Sequence, residues 1–244
     1  MILRKRMSPH SSAGESIRYK RVRHQESELF TSWIVDYTSG QNRCKIEYDS
    51  AGFAYLNTGH LTLSTSDRST IRQECLKLLE QPVQERYCSQ WITSRVIDDP
   101  EHQPACLIGQ KEVVCVTDQL AQGCHVIAVY EGQVMKDHPD VDRMVSNTML
   151  FEFVLPKQGR RKQRFVINGQ RGGNACAPFI NDYRINVQWD GDPRNDRSRI
   201  NTTFMVVMNQ GRPYVLLVTM GNVKRGDSLL TDYSPNYWRD YCPL

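Results

Sequence analysis

Two stretches of this chain gather the residues with the greatest chemical potential. Near the C-terminal end stands Gly226-Asp227-Ser228-Leu229-Leu230-Thr231-Asp232-Tyr233, followed by Tyr237 and Trp238. Well upstream of it comes Gly172-Gly173-Asn174-Ala175-Cys176-Ala177-Pro178-Phe179-Ile180-Asn181-Asp182, and before both lies Tyr130-Glu131-Gly132. Other chemistries lack a signal. The six histidines, at 10, 24, 60, 102, 125 and 138, show no metal-ligand spacing. Glycines 169, 172 and 173 open no phosphate-binding loop followed by a helix.

Composition narrows the setting. A chain of 244 residues with 39% hydrophobic content can bury one large domain, or a domain with an extension. No apolar run approaches a membrane span, and Met1-Ile2-Leu3-Arg4-Lys5-Arg6 lacks the apolar region of a secretory signal. Eight cysteines are scattered without a single C-x-x-C pair, so they read as reduced, buried small hydrophobes rather than a zinc or disulfide framework. The expected compartment is reducing, nuclear or cytoplasmic. Net charge is +4, yet residues 1–24 alone hold seven Lys or Arg and one acid, leaving the rest of the chain slightly acidic. This arm, residues 1–28, reads as disordered and solvated; its charge also suits nucleic acid or an acidic surface.

The elements that must position these residues follow. Trp33 to Tyr37 and Cys44 to Tyr48 read as a hairpin around Ser39-Gly40-Gln41-Asn42. Ile71, Cys75, Leu78 and Leu79 recur at helical spacing behind a capping box of Thr70 and Gln73. After Pro82, the four-residue spacing of Val83, Tyr87 and Trp91 predicts a second helix. Asp98 to Pro104 is a polar, proline-flanked linker, so residues 29–104 form a β/helix extension and residues 105–240 the main domain, with a tail at 241–244. Beyond the linker the pattern turns to strands: Glu112 to Thr117, His125 to Val134, Thr148 to Leu155, Arg164 to Asn168, Thr202 to Met208 and Pro213 to Met220. Asn209-Gln210-Gly211-Arg212 joins the last two as a hairpin turn. Asp137 to Asn147 reads as a short helix and Tyr183 to Asn201 as a long loop. Arg160, Arg161, Lys162 and Arg164 make a basic tip, either a solvated turn or a contact for nucleic acid or an acidic partner.

The motifs and their order resemble the SET domain of lysine methyltransferases over about residues 105 to 240. Thr117 to Gly123 is similar to the family's turn between its first two strands, Val126 to Gly132 to its second strand, and Phe151 to Asn168 to its central hairpin. The fold the resemblance implies is α+β, predominantly β: small sheets with a knot-like C-terminal closure, preceded by the β/helix extension. It implies S-adenosylmethionine as cofactor and a protein lysine, with histone tails the family-typical substrate class. Tyr233 matches the family's catalytic tyrosine, whose hydroxyl would orient amine and methyl group. Tyr130, Phe151 and Phe153 would wall the lysine channel, with Tyr130 beside Tyr233 at the chemistry. Asn181 matches the cofactor-contacting asparagine, and Trp238 the aromatic that covers the adenine.

The departures are specific. Lys111-Glu112-Val113 stands where the family has its Gly-x-Gly cofactor loop, where glycine lets the backbone approach a ligand. Asp182 replaces the histidine after Asn181, and Tyr183-Arg184 replaces Ser-Cys. Thr231 stands for the first tyrosine of Tyr-Asp-Tyr, which would either widen the lysine channel or leave its end less polar. The zinc-binding cysteines that flank many members are missing. A binding module that has lost turnover and recruits chromatin or another protein is therefore the alternative to an enzyme.

Overall fold

The structure is a computed structural model that describes residues 2–5, 52–57, 61–98, 107–136, 149–156, 162–169, 176–187, 189 and 191–233. Its architecture is α+β and predominantly β, with one α-helix among several small sheets. The expected hairpin at 33–48, most of the arm, the linker, the helix at 137–147, Gly172 to Ala175, Tyr237, Trp238, Cys242 and the knot-like closure lie outside the described residues.

The central element is a four-stranded antiparallel sheet in the order β2 (Phe53–Asn57), β10 (Thr202–Asn209), β11 (Arg212–Thr219), β5 (Val126–Val129). Its two middle strands are apolar at nearly every position because both faces are covered. On one face Phe204, Val206, Val215 and Leu217 join a core with Ile127, Tyr130, Ile180 and Tyr233. On the other, Met205, Val207, Leu216 and Val218 pack with Ile71, Cys75 and Leu78. Asn209 pairs with Arg212 across the turn. Gln210 and Gly211, at φ 47° and 76°, are both left-handed, the geometry whose twist matches paired strands.

The helix α1 spans Thr65–Leu79. Its capping box is Ser64 with Asp67: the Ser64 hydroxyl accepts from the Asp67 N–H at 3.1 Å and the carboxylate from the Ser64 N–H at 3.0 Å. The expected cap at Thr70 and Gln73 falls inside the helix, because Ser64 supplies a better cap and the added residues propagate an existing nucleus. Glu74 ties the helix to β5, accepting from the Val126 N–H at 2.7 Å and lying 2.8 Å from His125 Nδ1.

The second expected helix is a correction. Val83–Glu85 form a single 3-10 turn, Tyr87 bridges to Ala128, and Ile92–Val96 are a strand, β3. Arg86 explains the reversal: it donates to the carbonyls of Leu79 and Gln81, capping α1, and to Glu131 at 2.8 Å. The Tyr87 and Trp91 spacing thus serves packing against the core, Tyr87 from a single β-bridge and Trp91 from the turn that leads into β3.

Strand β3 pairs with β4 (Lys111–Cys115). With β2 in the central sheet and α1 on its face, residues on the two sides of position 104 share sheets and cores. A second four-stranded sheet runs β1 (Ile2–Lys5), β7 (Met149–Pro156), β8 (Lys162–Asn168), β6 (Gln133–Lys136). Its strand β1 lies inside the stretch read as a disordered arm; Ile2 and Leu3 favour extended backbone, and β7 offers a ladder to complete. The expected strand from His125 to Val134 is split, with Tyr130 to Gly132 between β5 and β6.

No helix among the described residues is long and apolar enough to cross a membrane. Replacing Glu74 by Ala removes the acceptor for the buried Val126 N–H. It should lower stability by about 2 kcal/mol, the cost of an unpaired buried donor, read as a lower urea midpoint with unchanged slope.

Candidate active site

Three segments far apart in sequence meet beside the central sheet. Strand β9 (Asn181–Asp182) pairs in parallel with β12 (Leu230–Thr231), Asn181 opposite Leu230 and Asp182 opposite Thr231. The Tyr183 N–H extends the ladder to the Thr231 carbonyl at 3.0 Å. On its other side β12 is held by Asn201, whose side chain accepts from the Leu230 N–H at 2.8 Å and donates to the Ser228 carbonyl at 2.9 Å. Strand β4 joins through Leu229, whose N–H donates to the Val113 carbonyl at 2.8 Å. The Asn181 side chain closes the triangle, donating from Nδ2 to the Lys111 carbonyl at 3.3 Å.

The tyrosine that follows β12 is turned into this junction. Tyr233 is 1% exposed, its hydroxyl donates to the Ile180 carbonyl, and its N–H donates to Asp182 Oδ2 at 2.6 Å. Ile180 sits just after a 3-10 turn, Ala177–Phe179, with Pro178 in its first turn. Tyr130 lies in the same buried cluster as Tyr233 and Ile180 and meets Phe204 edge-on, ring centroids 5.7 Å apart. Burial pushes the Tyr130 phenol far above its ordinary range, so it works as a neutral hydroxyl. Gly169 passes over it: a Cβ there would stand 2.9 Å from the Tyr130 oxygen and 3.0 Å from Pro178 Cγ. Cys176, close by in the same core, is no ready nucleophile, since burial pushes its thiol up to about 11 against the opposing pull of Lys111.

The remaining predicted residues divide by environment. The Lys111 ammonium stands 5.2 Å from the Phe179 ring centroid, while Val113 is buried in the core. Glu112 accepts from Arg95 Nε and from the Ser228 hydroxyl, each at 2.7 Å. Thr231 is buried at the end of β12. Phe151 and Phe153 belong to β7, opposite Ile167 and Phe165 of β8 in register. Trp238 lies outside the described residues. A cavity of about 530 Å³ opens on another side of β12 and is lined by Arg95, Glu112, Arg199, Asn201, Ser228 and Leu230. It includes none of Tyr130, Asn181 or Tyr233, and its polar walls bond to one another through Glu112 and Asn201.

Residues beyond the predicted set complete the geometry. Arg184, 1% exposed, donates to both oxygens of Asp182 at 2.9 and 3.0 Å and to Asp232 Oδ1 at 3.0 Å; Arg197 takes the other Asp232 oxygen at 3.0 Å. Burial raises the Asp182 pKa, against the opposing pull of Arg184 and of the backbone N–H groups of Arg184 and Tyr233. The sequence signal for this cluster is faint: an acid and an arginine two residues apart between apolar runs, and an acid beside the final tyrosine. Among the described residues no group of three His, Cys, Asp or Glu side chains is placed to hold a metal.

No family model matches the chain, and no curated protein matches it. Among solved structures the chain is similar to CpSET8 from Cryptosporidium at 12% identity, over 88% of this chain and 98% of that one, with a TM-score of 0.40. It is similar to ATXR5 in complex with histone H3.1 mono-methylated on an arginine, at 16% identity over 84% of this chain and 89% of that one, with a TM-score of 0.41. The ATXR5 SET domain in complex with di-methylated histone H3 gives 17% identity, the same coverage and a TM-score of 0.41.

Proposed function

We propose that this chain is a SET-type protein lysine N-methyltransferase that uses S-adenosylmethionine, with a basic protein such as a histone tail as substrate. One observation carries the reading. The stretches at 111–113, 181–182 and 230–233, each singled out by sequence for cofactor or catalysis, converge through the β9–β12 ladder and the Asn181 bond to Lys111.

The residues fit such a cofactor at its reacting end. When bound, S-adenosylmethionine would supply a sulfonium methyl group for transfer to a neutral lysine nitrogen, the C–S electron pair staying on sulfur. The hydroxyl of Tyr233 and the carbonyl of Ile180 lie together in an apolar surround, where a polarised methyl group would find acceptors. The same apolar surround would favour the uncharged amine, so a substrate lysine would leave its proton to bulk water on entering. Tyr130, held neutral by burial, orients rather than removes a proton. Asn181 anchors the Lys111 strand on which the cofactor would lie, and Trp238 would cover its adenine. The work of these side chains is alignment, which alone can supply much of a methyl-transfer barrier reduction.

The second reading is a binding module without turnover. It is favoured by Lys111 and Val113, side chains of strand β4 that stand where the resembled family has the glycines of its cofactor loop, and by Asp182 in the place of histidine.

Radiolabelled methyl transfer to core histones and to total cell protein decides between them. A labelled band is expected, and Tyr233→Phe should weaken it by about tenfold or more, about 1.4 kcal/mol of barrier, while cofactor binding persists. Undiminished transfer in that variant removes Tyr233 from its role. No label, together with no calorimetric heat for the cofactor, leaves the binding module. Asn181→Ala should raise the cofactor dissociation constant; an unaltered value in calorimetry removes the asparagine from the site.

A further inference from the structure

The residue after Asn181 carries a negative charge into a site where burial disfavours it, and the chain answers with a cation. The Asp182 carboxylate accepts four hydrogen bonds from three donor groups. Oδ1 accepts the Arg184 N–H and Nη1, each at 2.9 Å, and Oδ2 accepts Nη1 at 3.0 Å and the Tyr233 N–H at 2.6 Å. The same Arg184 Nη1 reaches Asp232 Oδ1 at 3.0 Å. The guanidinium also stacks on the Tyr183 ring at 4.6 Å, and Arg197 approaches that ring at 5.8 Å. Two carboxylates and a guanidinium at this depth are costly to desolvate, and an apolar cluster of similar volume would commonly serve stability as well. Their value therefore lies in what they fix.

What they fix is the end of β12. The ladder with β9 stops at Thr231, so the direction of the next two residues is set by side chains. Asp232 is gripped through its carboxylate and Tyr233 through its backbone N–H, both from the segment 182–184. The carbonyl that receives the Tyr233 hydroxyl, that of Ile180, belongs to the residue just before β9. Residues 180–184 thus hold both ends of the tyrosine, main chain and hydroxyl, against one short frame.

We infer that Arg184 is a positioning residue for Tyr233, acting through Asp182 and Asp232 to aim the hydroxyl at the reacting centre. This rests on the methyltransferase reading for its consequence in turnover, and on the geometry alone for its effect on the tyrosine. Other substitutions at the site leave such a clamp room to operate, since Thr231 is small and the Tyr233 ring is enclosed by the core.

The test uses the full chain labelled with 13C at tyrosine Cζ, the Tyr233 signal being the one lost in Tyr233→Phe. Arg184→Met is expected to move and broaden that signal. It should also lower kcat about tenfold or more, as a misplaced orienting group does, while the cofactor dissociation constant stays within about twofold. Asp232→Asn preserves the side-chain shape and keeps one acceptor; it should shift the same signal in the same direction with a smaller loss of kcat, and it decides the matter should Arg184→Met fail to fold. A Tyr233 signal that stays in place in the folded variants overturns the inference. So does a displaced signal with kcat intact. Should the unaltered chain transfer no methyl group and bind no cofactor, the methyltransferase reading falls, while the displacement of the Tyr233 signal still decides whether the clamp positions it.

Discussion

The parallel pairing of Asn181–Asp182 with Leu230–Thr231 is the interaction on which the candidate site depends, and by itself it is slight. A two-residue ladder contributes few hydrogen bonds, and each is worth only about 1 kcal/mol net once exchange with water is counted. The pairing persists because its flanks are saturated. Asn201 satisfies the outer edge of β12, the Thr202 hydroxyl adds a bond to the Leu230 carbonyl at 2.9 Å, and Asp182 takes the Tyr233 N–H beyond the last rung. Three polar side chains do for this short ladder what additional strands do for a long one.

The central sheet makes such an arrangement affordable in the structural sense: it removes the need for the site to hold itself together. Because β10 and β11 are buried on both faces, the core on the α1 side stabilises the same strands that present Phe204, Val215 and Leu217 to the site. Apolar burial of this kind scales with area and tolerates small shifts. Polar geometry does not, and it is concentrated at the edge of that platform, where the 177–184 segment and the 226–233 segment arrive. The division of labour is visible in Glu74 as well, whose carboxylate joins α1 to β5 on the side away from Tyr130.

Much of this was legible in the sequence wherever periodicity carried the information. The continuous apolar run from Phe204 to Met208 and the Gln210-Gly211 turn mark β10, β11 and their hairpin with little ambiguity, since two-sided burial leaves no polar alternation to confuse. The helix was legible through Ile71, Cys75 and Leu78, but its start was not, because Ser64 with Asp67 and Thr70 with Gln73 are both sensible caps and only the chain's path selects between them. Val83, Tyr87 and Trp91 misled because a spacing of four does not distinguish helical recurrence from successive turns around a single bridge, and Arg86, which ties these turns to the end of α1, acts through its side chain. Motif order singled out Asn181 and Tyr233, and the β9–β12 ladder brings their segments together. The clamp of Asp182, Arg184 and Asp232 was not: its ions are paired across the fold, and no local pattern announces that an arginine will be buried.

That clamp also bears on how the departures from the resembled motif are to be weighed. Lys111-Glu112-Val113 lacks the freedom of glycine and runs as part of β4, and two of its side chains are accounted for by the fold: Glu112 by Arg95 and Ser228, Val113 by the core. Backbone groups are what Asn181 uses at Lys111, and a backbone carbonyl is what Tyr233 uses at Ile180. Contacts made through main chain survive changes of side chain so long as the path is kept. Asp182 with Arg184 keeps the path at the position where the motif's histidine is missing. Side-chain identity is therefore a weaker guide to the chemistry of this site than the position of the main chain, and the groups that hold the main chain are the ones whose loss would be felt at Tyr233.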